Sequence, residues 1–79
     1  MKKTRVKLSE VHPGETGIIL KLNNQAVMRR RLIDLGFAPE NKTVCLGVSP
    51  LGDPKAFYIN DTSIALREED SQNITISII

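Results

Sequence analysis

Cysteine occurs once in this 79-residue chain, histidine once, and tryptophan not at all. With Cys45 alone, no intramolecular disulfide can form. Cys45 lies in the apolar run TVCLGV and reads as a buried, inert thiol. One His and one Cys are too few for a structural zinc site, which usually takes four such ligands. No metal site and no cofactor is therefore expected. His12 precedes Pro13 in a turn and reads as a solvated imidazole. The five glycines are dispersed, so there is no phosphate-cradling loop, and H-E-x-x-H is absent. One His and one Cys far apart in sequence make a poor catalytic pair. No catalytic residue is expected, and the chain does not read as an enzyme. There is also no run of 18 or more apolar residues to span a membrane. The opening MKKTRVKLSE carries charge without an apolar stretch behind it, unlike a secretory signal. The expectation is a cytoplasmic protein without direct membrane insertion.

Seventy-nine residues fit a single domain, residues 1–79. A domain this small buries only about 60% of the surface its unfolded chain exposes. The net charge of +2 is too small to argue for a nucleic-acid partner, but it is unevenly spread. Residues 1–42 carry nine Lys/Arg against four acids, and residues 43–79 carry two against five. A surface with a basic side and an acidic side follows.

Most of the chain has strand character. Ser9 is placed to cap a single helical turn, and Pro13-Gly14 suits a type II turn. TGIILKL (Thr16 to Leu22), TVCLGV (Thr43 to Val48), KAFYIN (Lys55 to Asn60), SIALR and NITISII read as strands. NDTS between the third and fourth is a hairpin turn, because Asn and Asp tolerate the left-handed region. EEDS is a charged connection with room for one helical turn. Ile74, Ile76 and Ile78 alternate onto one face of the last strand. About five short strands and one helix suggest a small β-barrel.

The helix is QAVMRRRLIDLGF. Met28, Leu32 and Leu35 fall at i, i+4 and i+7, so all three are expected to face the core. Gly36 is the natural stop and Pro39 prevents resumption. Arg30 and Asp34 lie opposite this stripe, with Arg29 and Arg31 flanking it. The three arginines read either as a solvated helix face or as groups that converge on a partner. SPLGDP, residues 49–54, is the stiffest stretch. Two prolines fix φ and restrict the residues before them, and only Gly52 is free to turn at positive φ. Leu51, between the prolines, either plugs the barrel end or stands outward as an apolar knob. A rigid loop with an apolar tip suits binding, because little ordering entropy is lost on contact.

The run RRRLIDLGFAPE, then VSPLGDP, IALREED and a terminal ITISI, closely resembles the ferrous iron transport protein A family, FeoA. The early LSEVHPGETG matches that family's opening, and the resemblance covers about residues 6–79. Glu40 stands where the family commonly has glycine, Ser49 where it has alanine, and NDTS lacks the glycine often found there. The resemblance implies an SH3-like β-barrel with an inserted helix. It implies an accessory protein of bacterial ferrous iron uptake, acting by protein–protein interaction. The partner it implies is the membrane transporter FeoB, with its cytoplasmic GTP-binding domain. The contact surface expected on these grounds comprises Arg29, Arg30, Arg31, Leu51, Gly52, Asp53 and Pro54. The alternative is a nucleic-acid-binding or transcription-regulator-type barrel, since related barrels end metal-dependent repressors. Base stacking would want aromatics on a basic surface. Phe57 and Tyr58 instead lie in the acidic half. The sequence leaves the oligomeric state open.

Overall fold

The computed structural model describes residues 4–79. Six antiparallel strands form one sheet: β1 (Arg5–Lys7), β2 (Thr16–Leu22), β3 (Lys42–Val48), β4 (Lys55–Ile59), β5 (Thr62–Leu66) and β6 (Ile74–Ile78). Their order across the sheet is β1-β6-β2-β3-β4-β5. The helix α1 (Ala26–Leu35) is inserted between β2 and β3, and a single turn, α2 (Glu68–Ser71), joins β5 to β6. Among the described residues there are six strands, where the sequence suggests about five. β1 is only three residues long and carries Arg5 and Lys7, so it has no apolar alternation to announce it. It is held by pairing Val6 opposite Ile76.

Two bulges shape the sheet. Register shifts occur between Ile19 and Lys21 on β2 and between Cys45 and Gly47 on β3. A bulge bends its strand and increases the local twist. It also resets which residues point inward, so Ile19 and Leu22 are both buried although three apart, while Leu20 and Leu46 are exposed. Phe37, Phe57, Ile19, Leu32, Ile74 and Ile76 form the centre of the core, all essentially without solvent contact. Phe37 and Phe57 meet edge to face, with centroids 6.4 Å apart and planes at 89°.

The turns follow their residue chemistry. Glu15 N–H donates to His12 O (3.0 Å) across Pro13 and Gly14, whose φ is +92°, as a type II turn requires. Asn60 and Asp61 both have positive φ, so the β4–β5 connection is of the I′ kind, without glycine. Asn41 N–H donates to Ala38 O (3.1 Å) around Pro39 and Glu40. Glu40 has φ +76°. It occupies the position of a type II turn where glycine is easiest. Ser9 does not act as a cap. It lies within a 3-10 turn, Leu8–Glu10, and Glu10 Oε1 accepts the Lys7 N–H at 2.8 Å.

Lys55 ties the segment between β1 and β2 to the sheet. Its Nζ donates to Ser9 O and Val11 O, both at 2.7 Å. Hydrogen bonds from a charged group are worth about 1.5–3 kcal/mol. Lys55→Met keeps the apolar stem and removes both donors, so it should cost about 1.5–3 kcal/mol in a urea melt. A loss below about 0.5 kcal/mol would mean that water replaces the ammonium at both carbonyls.

Candidate interaction surface

Leu51 faces outward: its side chain is 92% exposed. The loop that carries it is fastened from several directions. Ser49 N–H donates to Pro54 O (3.0 Å), and Gly52 N–H donates to Ser49 O (2.7 Å), closing a turn around Pro50 and Leu51. Gly52 takes φ +91°, and the Asp53–Pro54 peptide bond is cis. Asp53 Oδ1 accepts the N–H of Glu68, the first residue of α2, at 2.9 Å. Asp53 thus has an internal task, and with Pro54 it is half-buried, whereas Gly52 is exposed. The loop holds one shape with an apolar residue at its tip, so contact orders little that is not already ordered. Beside it, on the outer face of β3–β5, Leu46, Val48, Pro54, Ala56 and Ala65 line a shallow, uncharged depression.

The arginines sit on a second patch. α1 joins the body through Leu32, which is buried, and Met28, which packs against the core. Leu35 is a correction to the expected stripe, because it is 36% exposed and outside the core. The chain turns at Gly36 immediately after it, and Phe37 enters the core instead. Arg29, Arg30 and Arg31 are all exposed, and none makes an ion pair among the described residues. Arg29 and Arg30 border a shallow depression with Ala26, Val27 and Ile33. No residue lines both depressions. Exposed Val27 and Ile33 were missed by the sequence reading. The signal was available: at 100° per residue they flank Arg30 by about 60° on either side.

Among the described residues, no group of three or more His, Cys, Asp or Glu side chains could hold a metal ion. Cys45 is buried. His12 is exposed, and its backbone N–H donates to Glu15 Oε1 at 2.7 Å, with Nδ1 3.3 Å from the same oxygen. The backbone bond, foremost, lowers the Glu15 pKa below the ordinary carboxylate value. Among the described residues, no helix is long and apolar enough to cross a membrane.

The FeoA domain pattern matches residues 6–78. The chain belongs to the FeoA family. A FeoA/FeoB fusion protein of Porphyromonas gingivalis, Fe(2+) transport protein A joined to the Fe(2+) transporter, is 31% identical over 74 residues. That match covers 94% of this chain and only 9% of the fusion protein's length. The FeoA protein of Chlorobium tepidum superimposes with a TM-score of 0.89 at 32% identity, covering 94% of this chain and 70% of that one. The zinc-complexed FeoA of Stenotrophomonas maltophilia, described as a prokaryotic SH3 domain protein, superimposes with a TM-score of 0.77. Its identity is 21%, covering 91% of this chain and 89% of the other. The mainly β, SH3-like fold with an inserted helix is thus the fold of this FeoA-family chain, and its family is one of ferrous iron transport.

Proposed function

We propose that this FeoA-family chain acts in the cytoplasm as an accessory of ferrous iron uptake, binding the cytoplasmic part of a FeoB-type transporter. The observation that carries the reading is Leu51, 92% exposed on a loop fastened at Ser49, Gly52 and Asp53. A pre-shaped apolar knob loses little conformational freedom on contact and offers apolar surface to bury. The covalent joining of a FeoA part to FeoB in the Porphyromonas relative supports the choice of partner. The arginines of α1 supply a second contact patch of positive charge. Function by contact asks for no catalytic group, no bound cofactor and no nucleic acid. The test is a pull-down with the tagged protein from a membrane extract of its source cells, followed by identification of what is retained. A FeoB-type transporter is the expected catch. Its absence, in an extract where it is detectable, would contradict the reading.

A further inference from the structure

The two edges of the sheet differ. β1 is three residues long and guarded by Arg5 and Lys7, whereas β5 is five residues long with no charge and no proline. Charged side chains and proline are the usual devices that keep an edge from pairing with another chain. The two-residue turn fixes which β5 backbone groups are free. Ile59 and Thr62 close the hairpin, so they exchange both hydrogen bonds, and bonded pairs then alternate: Phe57 with Ile64, Lys55 with Leu66. Ser63 and Ala65, opposite Tyr58 and Ala56, therefore aim N–H and C=O away from β4. Among the described residues, no turn or loop hydrogen bond uses those groups, and both residues are exposed.

We propose that β5 is a pairing edge for a second copy of this chain, joined antiparallel across a two-fold axis with Ser63 opposite Ala65 of the other copy. This register uses every free donor and acceptor of Ser63 and Ala65 in both copies. It sets the small Ser63 and Ala65 side chains against each other without a clash. It also places Asp61 opposite Arg67 of the other copy, twice. Both residues are exposed and have no ion pair within the chain among the described residues. The same operation on β1 would bring only cations together. The area buried by two short edges lies below the roughly 1,200 Å² of a stable complex, so the association belongs to the weak, transient class.

The test is sedimentation of the full chain from about 10 µM to about 1 mM, a range that brackets such an interface. The wild type should shift from monomer to dimer as concentration rises. Ser63→Pro removes an N–H that the β4 ladder does not use, which an edge strand tolerates. It should weaken dimerisation at least tenfold with little change in the urea midpoint. Arg67→Asp should weaken it too, and Asp61→Lys combined with Arg67→Asp should restore it. The charge variants decide the matter if Ser63→Pro fails to fold. A wild type that stays monomeric throughout would overturn the proposal. So would a dimer indifferent to Ser63→Pro and to Arg67→Asp.

Discussion

Leu32→Ala should cost about 2–5 kcal/mol of stability, and Leu35→Ala less than about 1 kcal/mol, although both leucines belong to one helix. Leu32 is 1% exposed, and together with Met28 it packs α1 onto the barrel. Truncating it leaves a cavity among close-packed neighbours that relax only partly into it. A domain of this size has on the order of 5 kcal/mol in total, so the Leu32 variant would sit near the edge of unfolding. Leu35 loses little because water already reaches it. Urea melts of the two variants check the contrast. Equal losses would mean that the helix packs on the face the periodicity alone assigned.

Gly36→Ala should be nearly as damaging, at about 2–4 kcal/mol. Gly36 has φ +114°, outside what an L side chain adopts easily. An added Cβ would also lie 2.9 Å from Asn60 Cβ and 3.3 Å from Ile59 Cγ1. The glycine is the pivot of the helix end. Gly36 N–H donates to Ile33 O (3.0 Å) and Phe37 N–H to Leu32 O (2.9 Å), the paired bonds of a Schellman motif. That motif commonly brings the residue after the glycine against the one that starts the last turn. Here these are Phe37 and Leu32, both buried in one cluster. Disturbing Gly36 therefore moves Phe37 as well, and with it the ring contact to Phe57. The check is a thermal or urea melt of Gly36→Ala beside the wild type, and a loss below about 0.5 kcal/mol would contradict the reading.

Features encoded in consecutive residues were legible in the sequence. Gly36 as the helix stop, the Pro13-Gly14 turn, the Asn60-Asp61 hairpin and the stiffness of residues 49–54 all rest on local backbone chemistry. The family motifs then supplied the fold. What stayed hidden depends on distant partners. Lys55 bonds to carbonyls more than 40 residues away, and nothing beside it in sequence marks it as a tether. β1 is too short and too charged to show a period. In TVCLGV every residue but one is apolar or small, and the bulge at Leu46 changes the phase, so the outward placing of Leu46 and Val48 could not be read. The direction of Leu51 was undecidable for a related reason: two prolines restrict a loop equally well whether its tip points in or out. Asp53 gave no sign that its carboxylate would be used by the backbone of Glu68.

The most direct measurement is the affinity of Leu51→Ala for the purified cytoplasmic part of the FeoB-type transporter, taken with its urea midpoint. Arg30→Ala is measured alongside as a probe of the second patch. Because Leu51 touches mostly water, its truncation should leave stability within about 0.5 kcal/mol of wild type. Binding should weaken by more than about 1 kcal/mol, as for an interface hot spot. A stable Leu51→Ala protein that binds as tightly as wild type would contradict the account, and would leave residues 49–54 as a connection that only sets the register of β3 and β4.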